Sequence, residues 1–256
     1  MNEKKYDSVQ IEKENWDKYF EKSLNKDGEE HKNKLWWNIV DRDASNLVLK
    51  YFHNKKSISV LEAGCGSGGT TFYLSNLIKI NPLYLVDISS NALAFARSLE
   101  NQTLASNIHY INSDIFKMKI QRKFDLVWNV GLIEHYTPKE IEQIIYKMHK
   151  TTAVGGVMIV GIPNRRSIVV LKAALLGSKF GKNFLFWIPG YRNDTEILYS
   201  NKEVQQIIEK ITKKNVKIDY IGSCICVGSP NFLVKFFDKY FKLKYFAFLT
   251  FFSVTK

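Results

Sequence analysis

Acidic residues are scarce toward one end of this sequence. Residues 162–256 hold 16 Lys and Arg against 6 Asp and Glu, whereas residues 1–56 (12 against 11) and 57–161 (9 against 8) are nearly balanced. The net charge of +12 therefore sits mostly in the last third. It favours an anionic partner: nucleic acid, an acidic lipid surface or a phosphorylated substrate. Plain solubility through surface lysine is the competing reading. Cysteine is sparse too: Cys65, Cys224 and Cys226 match neither a zinc spacing nor Cys-x-x-Cys, which predicts reduced thiols and a cytoplasmic setting. No apolar run approaches the ~20 residues that span a bilayer, and Met1–Asn2–Glu3–Lys4–Lys5 opens no apolar leader, so the expectation is a soluble chain. Internal repeats are missing as well. At 256 residues and 45% hydrophobic, the chain can bury a full core without a covalent staple.

What is there is organised around Val60–Leu61–Glu62–Ala63–Gly64–Cys65–Gly66–Ser67–Gly68–Gly69–Thr70–Thr71. An apolar run ends in an acid, a glycine-dense turn follows, and a helix can begin at Thr70. Glycines there permit positive φ and close approach of a ligand, and a helix start offers unpaired N–H donors. The natural occupant is a nucleotide-like cofactor.

Apolar strands alternate with amphipathic helices through the centre of the chain. Strands are expected at 57–62, Leu83–Asp87, Ile108–Asn112, Phe124–Asn129 and Val157–Ile162, the last entered through Gly155–Gly156. The helix after the glycine loop is expected to run to Asn81–Pro82. Ser89, Thr137 with Glu140, and Ser200 with Glu203 predict helix N-caps. A strand near Val216–Val227, a helix near Pro230–Phe241 and a strand near Tyr245–Val254 close the chain. Such alternation predicts parallel βαβ units, an α/β Rossmann-like doubly wound sheet with helices on both faces. Four regions are delimited: an N-terminal helical cap at 1–56, a core at 57–162, a substrate-side insertion or lid at 163–199, and the C-terminal part of the core at 200–256. In the first, Trp16, Tyr19, Phe20, Trp36, Trp37 and Val40 recur at helical spacing, either as packing or as a cover over the cofactor mouth.

Gly64, Gly66 and Gly69 satisfy G-x-G-x-x-G, with Asp87 at the distance of a ribose acceptor. That fingerprint alone admits dinucleotides. Glu62, however, would repel a pyrophosphate and tolerate a ligand carrying an amine and a sulfonium, which tilts the choice toward S-adenosylmethionine.

The successive segments Val-Leu-Glu-Ala-Gly-Cys-Gly-Ser-Gly at 60–68, Asp87, Ser113–Asp114–Ile115 and Phe124-Asp-Leu-Val-Trp-Asn-Val-Gly-Leu-Ile-Glu-His-Tyr136 resemble, in order, the motifs of class I S-adenosylmethionine-dependent methyltransferases. The resemblance covers roughly 57–162. It implies a seven-stranded, mostly parallel sheet whose last strand is antiparallel. It also implies cofactor contacts from Gly64, Cys65, Gly66 and Gly68, with Glu62 at the methionine end and Asp87 on the ribose hydroxyls. Ser113 and Asp114 fall at the adenine, Ile88 and Ile115 on either side of that ring, and Asn129 beside the reactive methyl. His135 is the candidate base. In ubiquinone-pathway relatives a further glutamate precedes the Glu-His pair and helps hold a divalent metal; here Gly131–Leu132–Ile133 offers no carboxylate, so no metal is assigned.

Acceptor choice is expected in the insertion, through Arg165, Arg166, Trp187 and Tyr191, with Tyr199 beside it. Phe184 and Phe186 extend that aromatic set. The expected acceptor is a small or medium organic molecule, hydrophobic or anionic, methylated on oxygen or nitrogen. A basic, aromatic last third also admits peripheral contact with an anionic membrane. Three alternatives stand beside this reading: an RNA or other nucleic-acid methyltransferase, a non-catalytic cofactor-binding regulator or assembly protein, and a nicotinamide oxidoreductase. Asn129–Val130–Gly131–Leu132 argues against the first, since it lacks the Asn/Asp-Pro-Pro-aromatic segment of enzymes that methylate exocyclic base amines.

Overall fold

The structure is a computed structural model describing residues 3–24, 34–178, 196–240 and 244–256. Its strands are β1 (Ser57–Ala63), β2 (Lys79–Asp87), β3 (Ile108–Asn112), β4 (Phe124–Val130), β5 (Thr152–Pro163), β6 (Lys217–Ile221) and β7 (Leu249–Thr255). Among the described residues these form one seven-stranded sheet in the order β3-β2-β1-β4-β5-β7-β6. Neighbours pair in parallel except along β7, which runs antiparallel to both β5 and β6. The order reverses at β1, and that reversal opens a crevice at the carboxyl ends of β1 and β4.

Strand periodicity divides the core in two. On β4, Leu126 and Trp128 face one apolar cluster while Val127 faces the other. The first cluster is closed by α2 (Lys34–Phe52), α3 (Gly69–Ser75) and α4 (Ser90–Ser98), with Trp36, Val40, Phe72 and Leu93 pointing inward. The second is closed by α5 (Pro138–Thr151) and by α7 (Asn201–Thr212), which follows α6 (Ile168–Gly177) in the chain. The caps form at Ser89, Thr137 and Ser200, which fixes where the crossover helices leave the sheet. Helix α1 (Glu3–Leu24) lies on α4 through Phe20 and Phe95, whose ring centroids are 5.8 Å apart. Helix α8 (Asn231–Tyr240) is tied to α2 by Arg42, which donates to both carboxylate oxygens of Asp238 at 2.8 and 3.0 Å.

Several element boundaries differ from the sequence expectation. Helix α3 stops at Ser75, well short of Pro82. Pro82 lies inside β2, where Ile58 pairs with Ile80 but Val60 with Leu83, so the residue without an N–H occupies a bulge. Gly155–Gly156 likewise lies within β5: Phe124 pairs with Thr152 and Leu126 with Val157, and the extra residues bulge out. Strand β6 ends at Ile221 rather than near Val227. Gly222 turns the chain there with φ of 89°, and a Cβ on it would sit 2.8 Å from Val40 Cγ2.

The β5 bulge is sterically fixed. A Cβ on Gly156 would stand 2.7 Å from the Asp125 carbonyl oxygen and 3.0 Å from those of Ala153 and Phe124, all backbone atoms. Gly156→Ala is therefore expected to cost about 1–3 kcal/mol and to lower the thermal midpoint by about 2–4 °C per kcal/mol. A melting curve superimposable on the parent's would disprove the tight bulge.

Candidate functional site

Because β1, β2 and β4 are parallel, their carboxyl ends deliver side chains to one place. The Gly64 and Cys65 amides both donate to the Val86 carbonyl, at 2.8 and 3.0 Å, which straps the glycine loop to β2. Gly64 and Gly66 take φ of 65° and 51°. A Cβ on Gly64 would come within 2.6 Å of Leu132, and one on Gly66 within 3.3 Å of Phe20, so the loop leaves its backbone bare toward the crevice. Asp87 completes the turn: one oxygen accepts from the Gly66 amide at 2.8 Å, the other from the Ser89 amide at 2.9 Å.

A cavity of about 800 Å³ opens above this loop, walled below by Glu62, Gly64, Cys65, Gly66, Asp87 and Ile88, with Ser113, Ile115 and His135 at its sides. The two N-terminal helices supply the opposite wall. Helix α1 contributes Glu12, Trp16, Tyr19 and Phe20, and α2 contributes Trp37 and Asn38, with Asp41 at the foot of that wall against Thr70.

The floor is acidic. Glu62 is buried and accepts from the Thr71 hydroxyl at 2.6 Å, and that hydroxyl in turn accepts from the Trp128 indole at 3.0 Å. Burial, with the nearby charges of Asp87 and Asp41, pushes its pKa up to about 8. Burial also raises Asp41 to about 6, against the hydrogen bond from Thr70 at 2.8 Å. Asp87 is likewise raised by burial, against the backbone donors that it holds. None of the three carboxylates forms an ion pair among the described residues. The site thus suits a ligand that brings positive charge and hydroxyl donors to it.

His135 sits on the cavity wall in a 3-10 turn, Ile133–His135, with its ring edge-on to Trp16 at 5.6 Å. Burial pushes its pKa down to about 4, which leaves the imidazole neutral near pH 7. The Glu12 carboxylate lies 3.5 Å from Nδ1 and favours the protonated form. Cys65 is buried, and burial pushes its thiol well up.

Several expected residues lie elsewhere. Asn129 is inside β4, fully buried, with neither side-chain polar atom hydrogen-bonded. Strand alternation sends it to the α5 face, while its neighbour Val130 reaches the cavity. Gly68 is the left-handed N-cap of α3, and a Cβ there would meet Leu85 and Phe72 rather than open space. One Asp114 oxygen accepts from the Phe116 amide at 2.8 Å; the side chain borders an adjoining groove with Lys13 and Lys117. Tyr199 is buried and donates to the Tyr136 carbonyl at 2.7 Å. Arg165 and Arg166 are exposed on the turn after β5, outside the cavity wall. Trp187 and Tyr191, with Phe184 and Phe186, fall outside the described residues.

Asp41, Glu12, Thr71 and Trp128 escaped the sequence reading. For Asp41 the available signal was an acid beside Val40 at the edge of a tryptophan-rich helix face. For Glu12 there was no comparable signal in its charged surroundings.

Sheet order, antiparallel β7 and a glycine loop beside Asp87 together define the fold of the class I S-adenosylmethionine-dependent methyltransferases. Residues 60–156 match the family model described as a methyltransferase domain. A malonyl-[acyl-carrier protein] O-methyltransferase of Bacillus anthracis is 23% identical over 168 residues, 64% of this chain and 58% of that protein. An uncharacterized protein of Methanocaldococcus jannaschii is 34% identical over 140 residues, 53% of this chain and 56% of that one. The chain thus matches little more than half the length of these relatives. Among solved structures, magnesium protoporphyrin IX methyltransferase of Synechocystis PCC 6803, crystallised with S-adenosylhomocysteine, aligns over 96% of this chain and 98% of its own, with a TM-score of 0.64 and 13% identity. That similarity is one of fold.

The acidic floor sets a pH dependence. The ordinary pKa of Glu62 is 4.5 and its folded value about 8, so between these the folded chain holds a proton that the unfolded chain has released. The contribution of Glu62 to stability therefore falls as pH rises across that window, while His135 contributes with the opposite sign below about pH 6.5. Glu62→Gln, which keeps an acceptor for Thr71, is expected to flatten the fall in thermal midpoint. An equal slope in parent and variant would exclude a neutral buried Glu62.

Proposed function

We propose that this chain is an S-adenosylmethionine-dependent methyltransferase acting on a small or medium organic acceptor. The carrying observation is the cavity floor, where Glu62, Asp41 and Asp87 have no cationic partner among the described residues beside a glycine loop bare of side chains. A ligand with an ammonium, a sulfonium and a neutral diol supplies what each carboxylate lacks. Glu62 and Asp41 take the cationic end, and Asp87 uses its remaining lone pairs for the ribose hydroxyls. Ile88 and Ile115 offer apolar surface to the base. An acidic wall works against a polyanionic acceptor such as RNA, which places that reading second.

The cofactor supplies an electrophilic methyl group. The protein's part is to hold the acceptor in line with it and to keep water out. Trp16, Tyr19 and Phe20 on α1 and Trp37 on α2 form the aromatic side of the cavity, and we read these two helices as the cover over its mouth. They fit an acceptor with a flat or apolar part. His135, neutral at physiological pH, is placed to hydrogen-bond an acceptor hydroxyl and to take the proton that the methylated oxygen sheds, with Glu12 beside its Nδ1.

Calorimetric titration with S-adenosylhomocysteine and with NAD(H) tests the cofactor reading, and release of S-adenosylhomocysteine in an acceptor screen tests the transfer. Asp87→Ala should weaken S-adenosylhomocysteine at least about tenfold, because hydrogen bonds to a charged group contribute about 1.5–3 kcal/mol each. A folded Asp87→Ala protein with undiminished affinity, or a parent that binds NAD(H) alone, would refute the assignment.

A further inference from the structure

The exposed face of α8 has no part in the cavity. Phe232, Phe236 and Tyr240 stand one helical turn apart, and Phe232 and Tyr240 are 70% and 62% exposed. Lys235 and Lys239 interleave with them, both exposed, with Lys239 Nζ 4.9 Å from the Tyr240 ring centre. The opposite side of the helix is committed: Val234 is in the core, and Asp238, the helix's only acid, is paired with Arg42. The solvent-facing side is therefore aromatic and cationic, with no carboxylate of its own.

Further exposed aromatic and aliphatic residues lie on elements whose inner sides pack in the same apolar cluster as Val234 of α8, through Val169 of α6 and Phe248. The chain leaves α8 and reaches a 3-10 turn, Lys244–Phe246, where Tyr245 and Phe246 are exposed. Asn164 binds that segment to the start of α6: its side-chain amide donates to the Tyr245 and Ala247 carbonyls, both at 2.9 Å, and its backbone amide to Phe248 at 2.8 Å. Arg165 and Arg166 follow at once, exposed. On α6 itself Ile168, Leu171 and Leu175 share one helix side and are about half exposed.

We infer that the surface built by α8, the 244–246 turn and the outer side of α6 docks onto an anionic lipid bilayer. Aromatic rings at headgroup depth, aliphatic side chains beside them and lysines and arginines among them are the composition of an interfacial surface. Charge complementarity argues for lipid phosphate rather than a neutral partner, since Arg165, Arg166, Lys235 and Lys239 are exposed on these elements and Asp238 is committed to Arg42. Exposed Ile168, Leu171 and Leu175 argue for a bilayer rather than RNA, because aliphatic side chains offer bases no stacking platform. No described helix is long and apolar enough to cross a membrane, so the contact is peripheral. It stands independently of what the cavity binds.

Cosedimentation of the full chain with vesicles of equimolar phosphatidylglycerol and phosphatidylcholine tests this, beside vesicles of phosphatidylcholine alone. Expected are binding to the anionic vesicles, release at high salt, and about a tenfold or greater loss of partitioning in both a Phe232→Ser/Phe236→Ser and a Lys235→Glu/Lys239→Glu variant. Thermal unfolding checks that each variant is folded, and the two substitute surface positions by different chemistry. Absence of binding to anionic vesicles overturns the proposal, as does undiminished binding by both variants. Two further outcomes would replace it: variant-sensitive binding to single-stranded RNA without vesicle binding, or a dimer that the Phe232→Ser/Phe236→Ser variant dissolves.

Discussion

The Asp87 carboxylate is the point on which the site's architecture turns. Its two oxygens take the amides of Gly66 and Ser89, so one side chain fixes both the glycine loop and the entry to α4. Ser89 extends the link: its hydroxyl accepts from the Ala92 amide at 3.0 Å and donates to Asp17 of α1 at 2.6 Å. Asn91 adds a bond to the Asp17 carbonyl at 3.0 Å. Loop, sheet, α4 and α1 thus share one buried polar network, in which geometry set by any member constrains the rest. It follows that α1, though distant in sequence from the loop, is held at a definite height above it.

The same network carries an electrostatic tension. Glu62, Asp41 and Asp87 are close enough for their charges to be felt, and all three are raised by burial. Asp17 resolves its own tension differently: burial raises it, but hydrogen bonds from Lys13 and Ser89 outweigh that and hold it below the ordinary value. The floor carboxylates have no Lys13. A cationic ligand would relieve them, releasing protons and stabilising the folded chain in one step. A cavity that costs stability when empty of positive charge gains affinity for a ligand that brings it.

Most of the sheet could be read from the sequence, because buried parallel strands leave continuous apolar runs and the crossover helices carry strong caps at Ser89, Thr137 and Ser200. What escaped depends on contacts remote in sequence. Pro82 reads as a helix stop, yet a bulge opposite Ile58 and Val60 accepts it within β2. Gly222 ends β6 because α2 lies against it, and nothing local announces α2 there. Within the site, the glycine loop and Asp87 are contiguous or on adjacent strands, so spacing reveals them. Asn129 differs from the cavity-lining Val130 only by strand parity, which motif similarity does not track. Asp41 and Glu12 arrive on helices whose docking is tertiary.

Helix α2 joins the cavity to the exposed face of α8. Asp41 projects into the cavity and holds Thr70, while its neighbour Arg42, about 100° further round the helix, grips Asp238 of α8. Trp36 braces the same helix by donating to the Ile225 carbonyl at 2.9 Å in the segment that leads to α8. Cations and exposed aromatics therefore gather on one side of α2 and buried carboxylates on the other, although the chain as a whole is strongly basic. That segregation keeps lysine away from the carboxylates, where an ion pair would fill the place of a ligand's positive charge. Because both sides are anchored to consecutive residues of one helix, the orientation of α8 and the position of the Asp41 wall are set by a single rigid support.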